Sequence, residues 1–543
     1  MPPDLGSARA RKQTLLLSAL ALGALVVYLG MNSLMIASIA ADFGTRGFVK
    51  SLIYLMWVGC GFLTFSAVVL TAGRSLLAVI VVLSCVSLAT NYAYARIAWR
   101  EITPDLMEWM AHEISQFGHV WVEFMPEIFN SIVRAAALIA LFLIIRAVIR
   151  GHPLFRYPLL DQPRVRAIAL TGFLAFHGVT MLLQPSYTVA EANVYTFGLP
   201  AAISDAPNPR EVPLRPAGPP RVEKIVLVID ESVGARVYAE VVAPHLRHLP
   251  AFDFGESAST ATCSAPSNAL LRWGLEQASI GQLGYDPRTN PTIWGYAKAA
   301  GFRTTLIDGQ SKGATQNFVT GGELALLDEF KGADIGMETD LRIAQMLRER
   351  LRRPGRELIY VVKRGSHFPY DMNYPSGTVA ADASKQIKYA AAVSYATLGF
   401  FSAIAKEISL SNALLVYTSD HGQNLDARAV HCSDEHHPDE YSTPLVALTD
   451  APLMRDLLSG AMATMRNRTS HLNIFPTLLY ALGYPIDFVQ ATYGPTLAGP
   501  PAPYTTLAWH LPYPTKRKAM VEFARTDHFP GRRDSPALTG RRD

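Results

Sequence analysis

The sequence predicts a membrane domain of five transmembrane helices followed by a soluble α/β domain, in which helices cover both faces of a sheet. Long uncharged segments are confined to the first third of the 543 residues, and short β-branched apolar runs recur in the rest. A proline-rich segment separates the two regions. Hydrophobic residues make up 50% and charged residues only 17%, which excludes an ordinary cytosolic protein and a disordered chain.

Five segments of the first third are long and apolar enough to cross a bilayer, which takes about 20 residues. The segment 128–149 is weaker than the others because Arg134 and Arg146 shorten its uncharged core, and a buried or interfacial helix is the alternative. Both arginines lie near the ends, where long side chains can reach the headgroups. The predicted spans are 13–41, 51–73, 75–95, 128–149 and 167–184.

The distribution of basic residues predicts a cytoplasmic N-terminus. Arg9, Arg11 and Lys12 precede the first span, which is too long for a signal-peptide core and is expected to be retained. Five spans then place the chain after about residue 186 on the far side of the membrane, the periplasm in a bacterium. The outer segment 97–127 is acidic and aromatic. It is interpreted as a solvated surface helix, with a lipid-docking surface as the alternative.

The predicted domain boundaries follow these changes in composition. Residues 1–186 form the transmembrane domain, and 187–222 form an interfacial segment and linker, extended because it contains seven prolines between 200 and 220. Residues 223–500 form the soluble domain. The extension 501–543 is rich in basic residues and is interpreted as a solvated, partly disordered tail.

Five apolar, β-branched runs in the soluble domain predict strands of a parallel sheet covered on both faces. In such sheets ligands bind beyond the carboxyl ends of the strands. Each run ends in a polar or charged residue, so this edge is the candidate site. The runs are residues 224–231, 304–308, 358–363, 413–420 and 444–449.

Glu231, Asp420 and His421 are candidate metal ligands at two of these strand ends. Carboxylate oxygens and an imidazole nitrogen suit zinc or a related divalent ion. The alternatives are structural. An Asp-His pair after a strand is commonly a turn or a helix cap, and Glu231 could equally be an N-cap or a surface charge.

Hydroxyl side chains precede a predicted helix in residues 255–274, among them Thr260, Thr262 and Ser264. The N-terminus of a helix binds anionic phosphate or sulfate. A hydroxyl beside a divalent metal loses its proton readily and becomes a nucleophile. Simple N-capping is the alternative.

Two histidines follow predicted strands. His367 lies after the run 358–363, and His431 lies ten residues beyond His421. An imidazole beside a metal can bind an oxyanion or protonate a leaving group. A single exposed histidine usually has no such role, but several at strand ends favour a site.

Together these residues resemble the alkaline phosphatase/sulfatase superfamily, and most closely its membrane-anchored phosphoethanolamine transferases, which modify lipid A or other envelope glycans. The resemblance covers nearly the whole chain, including the five spans with an external loop between the third and fourth. It rests on motifs at 228–232 (VIDES), 306–310 (LIDGQ), 365–367 (GSH), 419–422 (SDHG) and 470–479 (SHLNIFPTLL).

The resemblance implies a ping-pong reaction at the periplasmic face of a bacterial inner membrane. A zinc-bound threonine would attack phosphatidylethanolamine, release diacylglycerol and pass the phosphoethanolamine to lipid A or a glycan, or to water in a hydrolase. Manganese and calcium are alternative metals. A monomer is expected, and the net charge of only +4 argues against nucleic acid as a partner.

The resemblance also implies roles for individual residues. The metal ligands would be Glu231, Asp420, His421 and the nucleophile oxygen. The phosphoryl group would be bound by His367 and His431. In the outer loop, Glu113 would help to hold the lipid donor.

The chain departs from the family in its nucleophile loop, because it lacks the string Cys-Gly-Thr-x-Thr. Thr260 and Thr262 keep the Thr-x-Thr spacing but lie one residue closer to the following Ser-x-Pro. Thr260 is therefore the preferred nucleophile and Thr262 the second choice. Cys263 and Cys432 could form a disulfide, although two free thiols are favoured. Asn473 occupies a position where the superfamily often has Asp.

Three alternatives to phosphoethanolamine transfer stay open. Residues 264–268 (SAPSN) with Gly274 resemble a sulfatase signature, in which Ser264 would become formylglycine and the metal would be calcium, but Asn268 replaces the signature arginine. A phosphoglycerol transferase of the lipoteichoic-acid-synthase type shares the five spans. A non-catalytic envelope-binding pseudoenzyme is the third alternative.

Overall fold

The computed structural model of the chain contains two compact units that divide between residues 204 and 205, and each is described by itself. The described residues are 5–41, 48–98, 102, 107, 124–151, 160, 162–183, 189–196, 198, 207–313, 315–405, 409–426, 430–432, 437–499, 506–509, 519 and 521–523.

The first unit is helical because its segments are long, apolar and nearly free of charge. Its helices are α1 (Leu5–Met31), α2 (Ser33–Ala41), α3 (Phe48–Thr71), α4 (Arg74–Ala98), α5 (Met125–Gly151) and α6 (Pro163–Leu183). Five segments in them are long and apolar enough to span a membrane: Lys12–Met31, Ser51–Thr71, Arg74–Ile97, Met125–Arg150 and Pro163–Leu182.

Two details of this unit differ from the sequence-based expectation. The segment 13–41 is not one helix, because Asn32 interrupts it between α1 and α2. Its amide donates to the Tyr28 carbonyl at 3.0 Å and accepts from the Ala190 N–H at 3.0 Å. Arg146 does not reach outward but is buried, and it donates to the carbonyls of Val69 and Ala72. It thereby satisfies carbonyl groups at the C-terminal end of α3.

A short polar segment, residues 189–196, packs among these helices. Both carboxylate oxygens of Glu191 lie within hydrogen-bond distance of the Tyr28 hydroxyl, at 2.9 and 3.0 Å. The Asn193 amide donates to Asn91 at 3.0 Å. These contacts fasten the chain beyond α6 to helices α1 and α4.

The second unit is built on an eight-stranded sheet of order β4-β3-β5-β1-β6-β7-β2-β8. Within this sheet β7 alone runs opposite to the other strands. The strands are β1 (Lys224–Asp230), β2 (Ala251–Ala258), β3 (Arg303–Asp308), β4 (Glu329–Gly332), β5 (Glu357–Val362), β6 (Ala413–Ser419), β7 (Ser442–Leu448) and β8 (Thr469–Ser470). A separate antiparallel pair is formed by β9 (Leu507–Trp509) and β10 (Val521–Phe523).

Helices cover both faces of this sheet, as the continuous apolar strands predicted. Along β1 alternate side chains enter opposite cores: Ile225 and Leu227 lie in one, Val226 and Val228 in the other. The helices are α7 (Ala235–Val241), α8 (Ser264–Arg272), α9 (Ile293–Ala299), α10 (Gly321–Leu324), α11 (Thr339–Arg352), α12 (Lys385–Val393), α13 (Gly399–Ala405), α14 (Pro438–Tyr441), α15 (Pro452–Met465), α16 (Ile474–Ala481) and α17 (Ile486–Tyr493). The predicted fold class, apolar helices followed by an α/β/α sandwich, is confirmed.

A sixth apolar segment, Lys385–Ala405, also meets the length and composition of a span. It comprises α12, a π-helical turn (Ser394–Leu398) and α13. Its buried side chains, including Tyr389 and Phe400, belong to one core of the sheet. This segment is therefore an apolar helix of the α/β domain.

The prediction of the sheet was incomplete at β2, β4 and β8 and wrong in the direction of β7. The strand β2 was not predicted, because it is only partly buried and is interrupted by a bulge between Asp253 and Glu256. The strands β4 and β8 were not predicted because they have only four and two residues. The predicted strand 444–449 exists as β7 but runs antiparallel to β6, so Thr449 lies at the edge opposite the candidate site.

The described part of the proline-rich segment lies along the second unit. The Arg210 backbone N–H donates to the Thr289 carbonyl at 2.8 Å, and its guanidinium pairs with Glu276 at 2.7 Å. The Arg221 guanidinium stacks on the Tyr480 ring at 3.4 Å from its centroid. Residues 207–222 are thus an ordered extension of this unit.

Candidate metal centre

Glu231, Asp420 and His421 meet at the carboxyl ends of two adjacent strands. The register of β1 and β6 pairs Asp230 with Ser419, so the residue that follows each strand lies at the same edge. The three side chains are buried, and one ligand atom from each lies within 4.8 Å of the others. Among the described residues this is the one group of His, Cys, Asp and Glu with the geometry to hold a metal ion.

The free atoms of these side chains fit a divalent cation. Asp420 Oδ2 is buried and has no hydrogen-bond partner. His421 Nδ1 lies 2.9 Å from the Gly422 carbonyl, which favours a proton on Nδ1 and leaves Nε2 facing the carboxylates. Nε2 lies 3.6 Å from Asp420 Oδ2 and 3.7 Å from Glu231 Oε1. Two oxygens and one nitrogen form a suitable ligand set for zinc.

The electrostatics of the carboxylates support the same interpretation. Burial raises the pKa of Asp420 to about 7, and the nearby Glu231 adds to this rise. Burial also raises the pKa of Glu231. Two carboxylates are thus held close together in a poorly solvated place, where a bound cation would stabilise their charged forms.

Ser232 holds both carboxylates in position. Its hydroxyl donates to Glu231 Oε1 at 2.6 Å and its backbone N–H donates to Asp420 Oδ1 at 2.9 Å. Its φ of 62° is in the left-handed region, which is unfavourable for serine and is often found at functional sites. The other oxygen of Glu231 accepts from the Gln310 amide at 2.8 Å.

Removal of the Ser232 hydroxyl is expected to weaken metal binding by about 10- to 100-fold, because it orients a ligand. Zinc titration of Ser232→Ala against the unchanged protein measures this. Ser232→Gly is the matched control, since it removes the same hydroxyl but tolerates the positive φ. Equal loss in both variants identifies the hydroxyl as the cause, whereas full affinity in the glycine variant would contradict this prediction.

Ser264 is the hydroxyl that the structure brings to the triad. It is the first residue of the nine-residue helix α8, and Cys263 is the N-cap. Its Oγ lies 3.2 Å from Glu231 Oε1 and 3.2 Å from His421 Nε2. The helix is fixed there because the Ser267 hydroxyl donates to the Asp420 carbonyl at 2.6 Å.

The described contacts do not bring Thr260 or Thr262 to the triad. The Thr260 hydroxyl is buried without a hydrogen-bond partner, and its carbonyl accepts from Leu507 at 3.2 Å. Both threonines lie in the connection between β2 and α8, upstream of the first helical turn. The sequence spacing ranks Thr260 first as the nucleophile, whereas in the structure Ser264 is the hydroxyl in contact with the triad.

His367 and His431 lie beside the triad. The His431 ring stacks on the His421 ring with centroids 4.5 Å apart, and the His367 ring lies 5.4 Å from that of His431. Burial and the two neighbouring imidazoles hold the pKa of His431 well below its usual value. Gly365, at φ 63°, allows the segment that carries His367 to pass close to Glu231. A Cβ at this position would lie 2.6 Å from the Glu231 backbone nitrogen.

Cys263 and Cys432 are joined by a disulfide. The preference for two free thiols was therefore wrong, since a separation of 169 residues in the sequence gives no indication of proximity. Asn473 is not among the three residues grouped as candidate ligands. It caps the turn before α16, where its side chain accepts from the Ser470 N–H at 2.9 Å and donates to Pro495 at 3.0 Å.

An ion pair behind the triad anchors the end of β1. Lys363 Nζ lies 2.5 Å from Asp230 Oδ2, and both side chains are fully buried. The same carboxylate oxygen accepts from Thr397, in the π-helical turn, and from Tyr417, each at 2.8 Å. The roles of Ser232 and Lys363 were not predicted from the sequence. For Lys363 the one available signal was its position at the end of an otherwise apolar run.

Lys363→Met is expected to lower the free energy of unfolding by about 3–5 kcal/mol, because it leaves the Asp230 carboxylate buried without its cation. Lys298→Met is the matched control. Its partner is Asp328 at 2.8 Å, and both side chains are about one-third exposed, so a loss below about 1 kcal/mol is expected. Urea unfolding of the two variants measures the difference, and similar losses would contradict the prediction.

Two sequence-based hypotheses concern residues outside the described part of the chain. One is the lipid-binding role of Glu113 and most of the acidic segment around it, and the other is the solvated tail with the basic residues beyond 523.

The sequence and the fold are similar to those of known proteins. Residues 223–484 match the profile of the sulfatase family. No curated protein sequence matches the chain. The fold is similar to that of the integral membrane lipooligosaccharide phosphoethanolamine transferase A of Neisseria meningitidis, with 14% identity, a TM-score of 0.59 and coverage of 88% of this chain and 98% of that one.

Two periplasmic domains are further structural matches. The C-terminal periplasmic domain of EcEptC from Escherichia coli, solved in complex with zinc, matches with 19% identity and a TM-score of 0.44, covering 57% of this chain and 96% of that one. That of phosphoethanolamine transferase EptC from Campylobacter jejuni matches with 19% identity and a TM-score of 0.38, covering 49% and 94%. At these sequence identities structural similarity shows a common fold and nothing more. Of these matches, only that to the Neisseria protein, with its TM-score of 0.59, is close enough to support that conclusion.

Proposed function

We propose that this chain, whose residues 223–484 match the sulfatase family model, transfers a phosphorylated headgroup from a phospholipid to an envelope acceptor through a covalent intermediate on Ser264. Phosphoethanolamine is the proposed headgroup, and lipid A or a glycan the proposed acceptor. One observation carries the proposal: the Ser264 hydroxyl, at the start of α8, lies 3.2 Å from both a carboxylate and an imidazole of the triad.

Glu231, Asp420 and His421 would hold the metal, for which zinc is proposed. A divalent ion bound there would lower the pKa of the Ser264 hydroxyl and would neutralise charge on a phosphoryl group. The N-terminus of α8 adds the positive end of the helix dipole, and Ser264 and Ala265 are the residues of its first turn before Pro266, which has no N–H. An anionic phosphate ester is therefore favoured at this position.

The chain's own residues divide the reaction between them. The Ser264 oxygen loses its proton and attacks phosphorus in line with the ester oxygen of the diacylglycerol. The phosphorus–oxygen bond to the diacylglycerol breaks, and the diacylglycerol leaves with a proton equivalent to the one that Ser264 lost. The N–H groups of His367 and His431 donate to the phosphoryl oxygens. In the second step the acceptor oxygen attacks the same phosphorus and Ser264 is released. Both steps occur at the same phosphorus, so the positions of the Ser264 oxygen, the phosphoryl group and the acceptor contribute more to the rate than the acidity of the histidines.

The apolar helices of the first unit favour a lipid donor over a soluble one. Five helical segments of the first unit have the length and composition of spans. The fold match to the Neisseria protein extends over 88% of this chain, so it includes membrane helices as well as the α/β domain. We place the protein in a bacterial inner membrane with its α/β domain in the periplasm, where the Cys263–Cys432 disulfide would persist. The domain boundaries, the monomeric state and lipid binding by Glu113 belong to the same proposal.

A sulfatase is the second candidate, and the position of Ser264 favours it specifically. In the sulfatase signature the residue converted to formylglycine stands where Ser264 stands, two residues before Pro266. Cys263 is not available for that conversion because it is in a disulfide.

Mass spectrometry of the full-length protein separates these candidates. The detergent-purified, zinc-loaded chain is incubated with phosphatidylethanolamine or with phosphatidylglycerol, and any adduct is located by peptide mapping. A phosphoethanolamine adduct on Ser264 is expected with the first lipid alone. A phosphoglycerol adduct would identify a different transferase. An oxidised Ser264 without an adduct would indicate a sulfatase, and an unmodified loop would overturn the proposal.

A further inference from the structure

The disulfide joins the two segments that carry Ser264 and His431. Cys263 directly precedes Ser264 and is the N-cap of α8, whereas Cys432 directly follows His431. The two Cα atoms are 4.8 Å apart. The Cys432 backbone N–H also donates to the Thr262 carbonyl at 3.0 Å, so a hydrogen bond runs beside the covalent link. The bond thus connects the residues adjacent to Ser264 and His431.

We infer that the Cys263–Cys432 disulfide is a positioning element, which holds His431 at the distance from Ser264 that phosphoryl binding requires. This rests on the proposed function of Ser264. The three metal ligands do not depend on the bond in the same way. Glu231 and Asp420 directly follow β1 and β6, and the sheet register fixes them. Loss of the disulfide therefore affects His431 more than the metal.

The segment that carries His431 has its own local anchor on the other side. The Val430 carbonyl accepts from the Asn424 N–H at 2.7 Å. Cys432 has a φ of 56°, a left-handed conformation that is unfavourable for a residue with a Cβ. The covalent bond to Cys263 holds Cys432 in this conformation. Relaxation of the Cys432 backbone would move the adjacent His431. Without this bond the His431 ring is free to leave its stacked position on His421.

The expected signature is a loss of phosphoryl binding without a loss of metal binding. A displacement of about 1 Å at a reacting group can lower the rate about 100-fold. For the double variant Cys263→Ser, Cys432→Ser we expect formation of the Ser264 adduct to slow by about 10- to 100-fold and the affinity for inorganic phosphate to fall about tenfold. Zinc affinity is expected to stay within about twofold.

The experiment uses the zinc-loaded, full-length protein in detergent and measures zinc affinity, inorganic phosphate affinity and the single-turnover rate with phosphatidylethanolamine. Cys60→Ser, Cys85→Ser is the matched control, because both of these cysteines are free thiols of the first unit. It is expected to leave all three measurements unchanged. Reduction of the folded wild-type protein with dithiothreitol, which converts the disulfide to two thiols as the dithiol cyclises, is expected to reproduce the effect. Reoxidation is expected to reverse it.

The outcomes distinguish this inference from the proposed function. Unchanged phosphate affinity and rate in the double variant, or equal losses of phosphate and zinc affinity, would overturn the positioning role. If the double variant does not fold, the reduced and reoxidised wild-type protein decides by the same criterion. If no lipid modifies Ser264 in the wild-type protein, the proposed function fails, while the phosphate and zinc affinities still test the disulfide.

Discussion

Ser264→Ala is expected to abolish covalent labelling by the phospholipid and to lower headgroup transfer by at least about 10³-fold. The physical reason is the loss of the one described hydroxyl that contacts both Glu231 and His421. The α8 N-terminus and the triad remain, so the variant still binds a metal and an anionic phosphate. The measurements are intact-protein mass after incubation with phosphatidylethanolamine and the rate of transfer to a lipid acceptor.

Thr260→Ala and Thr262→Ala are the matched controls for this substitution. Both remove a hydroxyl from the same loop. The Thr260 hydroxyl has no hydrogen-bond partner among the described residues, whereas the Ser264 hydroxyl lies 3.2 Å from both Glu231 and His421. A loss below about tenfold is expected in each threonine variant. The reverse result, an inactive Thr260→Ala beside an active Ser264→Ala, would return the nucleophile to the residue that the family's spacing favours.

The comparison of these hydroxyls shows how far the sequence predicts the site. The three proposed metal ligands could be grouped from the sequence because they directly follow apolar runs, so that their place at the strand ends is set by local pattern. The nucleophile could not be assigned in this way. The segment between β2 and α8 contains several small hydroxyl residues, and which of them faces the triad depends on where the helix begins. The helix begins at Ser264.

Contacts distant in the sequence escaped prediction for a related reason. The fold class follows from runs such as that of β1, in which every residue is buried. The strand β7 runs antiparallel to β6, and its apolar run of residues carries no sign of that direction. The supporting roles of Ser232 and Lys363 depend on hydrogen bonds to Asp420 and Asp230, which are distant from them in the sequence. Lys363, for example, pairs with a residue 133 positions away.

Asp420→Asn is expected to lower zinc affinity by at least about 100-fold and to abolish transfer with it. Asp420 supplies the buried Oδ2 that lacks any partner, while its Oδ1 is occupied by the N–H groups of Ser232 and His421. An amide keeps the shape but not the negative charge, so the effect reports ligation rather than packing. Zinc titration is the measurement, and Asp439→Asn, an exposed acid, is the control that is expected to leave the affinity unchanged.

The pH dependence of zinc binding tests the same ligand independently. Because the pKa of Asp420 is raised to about 7 in the metal-free site, protons compete with the metal below that pH. Zinc affinity is therefore expected to rise by up to about tenfold per pH unit up to about pH 7 and then to level off. The native metal-free protein binds the extra proton, so its stability is expected to fall as the pH rises from about 4 to 7. Bound zinc favours the charged carboxylate and removes this loss, whereas a zinc affinity independent of pH would contradict ligation by Asp420.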